Sequence, residues 1–230
     1  MKTLSKETIA TPTPERVTMG QDVYRQLKTW LTMGHLMPGE ALSLRNISQS
    51  LGVSVMPVRG AVHQLVAERA LEMTPQKAIR VPVLTVAEFQ ELTNIRIALE
   101  GMAVSIAAKS RTEAELKIIQ KNQKLFDLEM DKKIPNTRIL IEQNRHFHFS
   151  AYRAAHKELL MQMIETLWLR IGPILNYDLH KRVPQKVAGL HHDGLVEAFK
   201  KKDSRLAKKS LESDILSAAK FIISEKILVD

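Results

Sequence analysis

Apolar residues begin to recur at helical spacing from Gln21, where Val23, Leu27, Trp30 and Leu31 share one face. The preceding residues 1–17 are polar and include Pro12 and Pro14, which predicts a flexible N-terminal arm. Gly34 is expected to end the first helix, and Pro38-Gly39 forms a turn. Ser43 can cap a second, short helix with Leu44, Ile47 and Leu51 inward, and Gly52 breaks it. Ser54 is placed to cap a third helix, with Pro57 in its first turn, where a missing N–H is harmless. Val58, Ala61, Val62 and Leu65 make its inner face. The period then changes. Leu71 and Met73 precede a turn at Thr74-Pro75-Gln76-Lys77, after which Ile79, Val81 and Val83 alternate with Arg80 and Pro82. Three helices followed by a hairpin predict a winged helix-turn-helix over residues 18–84.

At Thr85 the 3.6-residue period returns and persists. Thr85 with Glu88 and Thr112 with Glu115 read as capping boxes. The first opens a helix with Phe89, Leu92, Ile95, Leu99, Ala103 and Ile106 expected inward. Further helices are predicted over 112–130, 137–155, 158–180, 185–201 and 204–227, punctuated by Pro135, Pro173, Pro184 and Asp203. Pro173 is expected to kink or split its helix. The fold class is therefore mainly α: a winged helix-turn-helix, then an all-α bundle of about six helices over 85–230, with almost no linker between them.

A chain of 230 residues allows one or two domains. Aromatic residues are only 5% of it, so the core is aliphatic, which suits helices. There is no cysteine, which excludes disulfides, zinc knuckles and thiol catalysis and fits a reducing compartment. The polar N-terminus is not a secretory signal, and no run of about 18 apolar residues is present, so a cytoplasmic protein without a membrane partner is expected. The formal net charge of +9 suggests a polyanionic partner. It does not say where that partner binds, because residues 1–85, with ten Lys/Arg against six Asp/Glu, are only modestly denser in net positive charge than the rest.

The helix-turn-helix gives the location. A tight turn at Gly52 would project the N-terminal residues of the third helix into a major groove. The candidates there are Ser54, Val55, Met56 and Arg59, with His63 one turn on. Ser54 can offer its hydroxyl and a helix N-terminus to a phosphate, and Arg59 can reach a guanine edge bidentately. Arg45 lies on the second helix near the DNA backbone, and Gln76 and Lys77 at the hairpin tip can enter the minor groove. The alternative is an ordinary three-helix bundle with a few surface arginines, but such a bundle has no need of a hairpin. Val23-Tyr24-x-x-Leu27, Gly34-His35-Leu36-x-Pro38-Gly39-x-x-Leu42 and Leu51-Gly52-Val53-Ser54-x-x-Pro57-Val58-Arg59-x-Ala61 together resemble the GntR regulators, bacterial winged helix-turn-helix repressors and activators. The resemblance implies double-stranded operator DNA as partner. The chain departs from the family pattern at Val55, Met56, Gly60 and Ala78, where relatives usually carry Arg, Thr, Glu and Gly.

In the second part, Asn144 and His148 are four apart on one helix and share a face. His192 opens a later helix, and Asp214 lies in the last one. Two imidazoles, a carboxylate and an amide oxygen from three helices can converge on a divalent cation, as in helical-bundle metal sites. The competing reading is that these are ordinary surface or core residues. Arg96-x-x-Leu99-Glu100, Asn144-x-x-Phe147-His148-x-x-x-Tyr152-x-Ala154-Ala155, His192-x-x-Leu195-x-x-Ala198, Asp203 and Asp214-Ile215 resemble the FCD domain, the effector domain of the FadR branch of GntR regulators. By that resemblance Asn144, His148, His192 and Asp214 fall on the family's metal-ligand positions, with Asn144 in place of the usual Asp and Asp214 in place of a His. The resulting set suits manganese as well as zinc or nickel. The resemblance also places Arg96 against the cavity, where its fork fits a small carboxylate effector; the alternative is a structural Arg96–Glu100 pair, four apart on one helix. Arg145 and His146 are expected to point elsewhere. Lys200, Lys201, Lys202, Lys208 and Lys209 read as a solvated basic face.

The function these readings imply is a homodimeric, sequence-specific transcriptional repressor modulated by a small organic acid, with one divalent metal ion as possible cofactor. The alternatives are a regulator whose helical domain only dimerises, and a metal-dependent helical enzyme built on His148, His192 and Asp214. The enzyme reading lacks any helix motif that pairs a general base with a metal-bound water.

Overall fold

The computed structural model describes residues 18–33, 35–74, 78–182 and 190–230, with residues 176–182 and 190 given as backbone only. The predicted arm at 1–17, Gly34, the hairpin-tip residues Gln76 and Lys77, and Pro184 lie outside the described residues.

The N-terminal head begins with α1 (Met19–Thr32), opened by a capping box in which Thr18 and Gln21 satisfy each other's backbone N–H groups. The short β1 (Ala41–Leu42) precedes α2 (Leu44–Leu51), which Ser43 caps and Gly52 ends at φ +65°, a left-handed conformation that glycine adopts without strain. α3 (Val55–Ala67) buries Val58, Ala61, Val62 and Leu65 as its spacing predicts. β2 (Glu72–Met73) and β3 (Ile79–Arg80) pair antiparallel, and β1 pairs with the other edge of β3, giving the order β1-β3-β2. The wing is thus a three-stranded sheet, not the hairpin alone. Ala41–Leu42 is too short to show any alternation, so nothing in the sequence marked it as a strand.

The C-terminal bundle contains α4 (Val86–Ser110), α5 (Glu113–Met130), α6 (Thr137–Arg153), α7 (Glu158–Arg182), α8 (Leu190–Lys201) and α9 (Ser204–Ser224). Both predicted capping boxes, at Thr85/Glu88 and Thr112/Glu115, are formed. α7 runs through Pro173 as one continuous element, and is not split there. The α4 face differs from expectation. Phe89, Leu92, Arg96, Glu100, Ala103, Val104 and Ala107 are buried, whereas Ile95 and Met102 are exposed and Leu99 and Ile106 only half-buried. α4 is apolar on two sides, so periodicity could not choose which side meets its own core.

Close packing of α1 against α7 ties head to bundle. Leu169 of α7 belongs to the head's apolar core, beside Leu27 and Leu31 of α1. A Cβ added at Gly172 would lie 2.8 Å from the Leu31 carbonyl oxygen and 3.0 Å from Thr32 Cα, so α7 and α1 pack there with no room for a side chain. The connection itself is pinned by the chain end: Val229 N–H donates to the Leu84 carbonyl and Val86 N–H to the Val229 carbonyl.

Candidate functional site

The exposed part of α3 is built to be unfinished. Ser54 has the extended backbone of an N-cap, yet its hydroxyl makes no capping bond. With Pro57 at the third helical position, the N–H groups of Val55 and Met56 are the donors that this first turn presents. Met56 is 70% exposed, and Val55, Arg59, Gly60 and His63 also face outward. A side chain at Gly60 would meet nothing within 4 Å, so the surface beside Arg59 is open. Arg45 on α2 is exposed as well, and among the described residues neither Arg45 nor Arg59 has a carboxylate partner.

The second constellation is internal. His148 on α6, His192 on α8 and Asp214 on α9 each direct one ligand-capable atom into a common space, all within 4.8 Å of one another. Nε2 of His148 is 3.2 Å from Nε2 of His192 and 3.4 Å from an Asp214 carboxylate oxygen. Both imidazoles are buried. Burial, with smaller repulsion from His192 and Arg96, holds the His148 pKa well below the usual histidine value. Burial, with some help from His191, lowers His192 to about 3. Both rings are therefore neutral at pH 7, the state in which imidazole binds a metal. Asn144 stands one turn before His148 on α6 and is half-buried.

A buried network sets the orientation of His148. Arg96 donates to Glu100 through Nε and Nη2 in a bidentate pair of 2.7 and 3.2 Å, and Glu100 also accepts from Trp168 Nε1 at 3.1 Å and from the Tyr152 hydroxyl. Burial opposes the Arg96 charge, but the facing carboxylate outweighs it and the guanidinium pKa is raised. Burial and then Glu100 push the Tyr152 hydroxyl well above its normal range, so it stays protonated. Because Tyr152 donates its proton to Glu100, the His148 Nδ1, 3.2 Å from the Tyr152 oxygen, is the donor in that contact. That places the lone pair of His148 on Nε2, toward His192 and Asp214. Metal-ligating histidines are commonly oriented this way, through a donor bond from the other ring nitrogen. His192 Nδ1 is buried without a hydrogen-bond partner. The two Nε2 atoms must share either a proton or a cation to lie this close, and the neutral donor set, with Asp214 supplying negative charge, fits a divalent cation.

Of the four expected ligands the structure brings His148, His192 and Asp214 close together, with Asn144 one turn before His148, and it forms the Arg96–Glu100 pair. The grouping of Glu100, Tyr152 and Trp168 into one network was not legible in the sequence, since it arises only when α4, α6 and α7 pack. Among the described residues no helix is long and apolar enough to cross a membrane.

The pattern of the bacterial regulatory proteins of the gntR family matches residues 19–81, and the FCD domain pattern matches residues 91–216. The chain is 34% identical over 163 residues to the HTH-type transcriptional regulator McbR of Escherichia coli K12, covering 71% of this chain and 73% of that protein. It is 32% identical over 151 residues to the HTH-type transcriptional repressor GlaR of the same organism, covering 64% of this chain and 68% of that protein. The solved structure of E. coli McbR/YncC superposes with a TM-score of 0.83 at 29% identity, over 91% of this chain and 99% of that one. These relatives are transcriptional regulators, and none is named for an enzymatic activity. The order of a winged helix-turn-helix and a helical domain agrees with both matched patterns, and the chain belongs to the GntR family of bacterial transcriptional regulators, in the group that carries an FCD domain.

Proposed function

We propose that this regulator is a cytoplasmic homodimeric repressor whose operator affinity is set by what occupies the buried cluster in its helical domain. The observation that carries the reading is the convergence of His148, His192 and Asp214, from three helices, on one space with neutral imidazoles and an oriented lone pair. These three residues, with Asn144 as an oxygen donor one turn away, would hold a zinc, nickel or manganese ion. A cation bound there supplies a Lewis-acidic centre that can receive an oxygen of a small carboxylate effector. Arg96 has a positioning part: it fixes Glu100, which fixes Tyr152 and through it His148.

DNA reading falls to Arg45, Ser54, Met56 and Arg59, with Gln76 and Lys77 at the wing tip. The open first turn of α3 suits a phosphate, Arg59 a guanine edge, and Met56 a thymine methyl. Head and helical domain are taken to divide near residue 84. Dimerisation draws support from an apolar groove of about 520 Å³ lined by Leu99, Met102 and Ile106 of α4 and Leu159, Leu160 and Met163 of α7. Repression follows the reading of GlaR, which is named as a repressor.

Calorimetry on chelator-stripped protein tests the cation site. Zinc, nickel or manganese is expected to bind with a stoichiometry of about one per chain, and His192→Ala to abolish it. Absence of heat with all three ions would rule the cation out and leave direct binding of an organic ligand at the cluster.

A further inference from the structure

A second cavity, of about 330 Å³, lies at the joint between head and bundle. Arg25 and Lys28 of α1, Arg145 and Phe149 of α6, and Glu165 and Leu169 of α7 line it. It is separate from the cluster described above, and none of His148, His192 or Asp214 borders it.

Its charges do not balance. Arg25 is taken up by Asp22 on its own helix. Glu165 is approached by Lys28 at 3.7 Å and by Arg153 at 3.8 Å, both loose contacts. Among the described residues Arg145 makes no ion pair with a carboxylate, and Glu165 across the cavity acts on it only at longer range. Its guanidinium carbon sits 4.2 Å over the Phe149 ring, and its buried Nε has no hydrogen-bond partner. A buried N–H without an acceptor is uncommon, because its desolvation is then not compensated. Burial, followed by repulsion from Arg153, lowers the Arg145 pKa, which is the direction expected of a cation short of negative charge. An arginine nonetheless stays protonated under all ordinary conditions.

The guanidinium lies over the Phe149 ring and borders the cavity. A planar fork held in this way matches a carboxylate or a phosphate bidentately. The adjoining Phe149 and Leu169 surfaces suit a short apolar body, and the volume fits a small molecule. We propose that this joint cavity is a binding site for a small organic anion, with the anionic oxygens on Arg145, Lys28 in support, and an apolar body against Phe149 and Leu169.

The position gives such a ligand a regulatory consequence. It would touch α1 of the head and both α6 and α7 of the bundle at once. Directly beside it, Gly172 of α7 meets the end of α1 without space for a methyl group, so the two parts are already in register at this joint. An anion that binds the docked arrangement better than a displaced one shifts the head toward its docked placement, and thereby changes operator affinity.

Calorimetry on the full chain, stripped of metal by a chelator, tests the site with three probes: benzoate, acetate and inorganic phosphate. Benzoate is expected to bind more tightly than acetate, and Arg145→Gln to weaken it at least tenfold, with no requirement for added divalent cation. Tighter binding of phosphate, equally lost in Arg145→Gln, would support the site with a phosphorylated ligand as its occupant. If Arg145→Gln does not fold, as judged by circular dichroism, Lys28→Gln decides, with at least a threefold weakening expected. Three results overturn the proposal: no probe binds the wild type, binding survives both substitutions unchanged, or binding appears only when a divalent cation is added and persists in Arg145→Gln. The last result would assign the anion to the His148 cluster, so this test and that of the cation site fail separately.

Discussion

The recognition helix and the buried cluster treat polar groups in opposite ways. On the exposed side of the helix-turn-helix, polar groups are left without internal partners: Ser54 caps nothing, and Arg59 of α3 and Arg45 of α2 face solvent unpaired among the described residues. Within the bundle the comparable groups are nearly saturated. Arg96, Glu100, Tyr152, Trp168 and His148 form one connected set of hydrogen bonds at close to zero exposure. A surface that meets a polyanion keeps its donors free, because the partner completes them. A site that holds a small ligand inside a fold must be prearranged, because each buried group left unmade is destabilising. The difference predicts that substitutions in the two regions separate cleanly: those on α3 change DNA binding at nearly constant stability, and those in the network change stability first.

The largest effect is expected at Glu100. Glu100→Ala leaves the buried Arg96 charge without a counter-ion and removes the acceptor of Trp168 and Tyr152, and it should destabilise by about 3–5 kcal/mol. Urea unfolding measures this directly. A loss below about 1 kcal/mol would mean that the network is not the rigid frame described. Next comes acidity. His148 and His192 stay neutral in the folded, metal-free chain well below the pH at which they charge when unfolded, about 6.5. The unfolded state therefore binds more protons below pH 6.5, and stability is lost as the pH falls through that value. The loss between pH 7 and pH 5 should be about 2 kcal/mol for each histidine, and replacing His192 by Leu should remove about half of the pair's acid sensitivity. An unchanged pH profile in that variant would show that His192 is not held neutral by burial.

Gly172→Ala tests the joint that links the two regions. The added methyl meets backbone at 2.8 Å, which cannot move as a side-chain tip can. Overpacking of this kind is expected to destabilise by about 1–3 kcal/mol, and small-angle scattering should show the head displaced from the bundle. The smallest change in stability belongs to Arg59→Ala, within about 0.5 kcal/mol of wild type. Its operator affinity should nevertheless fall by about 1–3 kcal/mol. Equal loss on operator and random duplex would identify Arg59 as a phosphate contact and not a base reader.

Much of the head was legible in the chain because each helix there has one apolar face and a clear stop, such as Gly52. Its third strand was not, since two residues carry no period. In the bundle the helix positions were legible but not their orientation: α4 is apolar on two sides, and the Ile95–Met102 side faces outward. His148, His192 and Asp214 could be offered as a group from residue type, but only the family resemblance favoured it over ordinary surface or core residues, because their approach depends on how α6, α8 and α9 pack. For Arg145 the sequence indicated only that it points away from the cluster. Its place in the joint cavity depends on how α1 docks against α7, a contact between parts distant in sequence.

The most direct test of the account is operator binding as a function of the state of the cluster. A duplex selected from a random pool by the chain itself is labelled and titrated with metal-stripped protein, then with protein given manganese or zinc together with a small carboxylate that stabilises it. Fluorescence anisotropy should show an affinity change of at least about fivefold, the usual lower range of allosteric coupling, and His192→Ala should abolish the change without altering the stripped-state affinity. The same affinity in every state, for wild type and variant alike, would contradict a sensing role for the helical domain and leave it as a dimerisation scaffold for the DNA-reading heads.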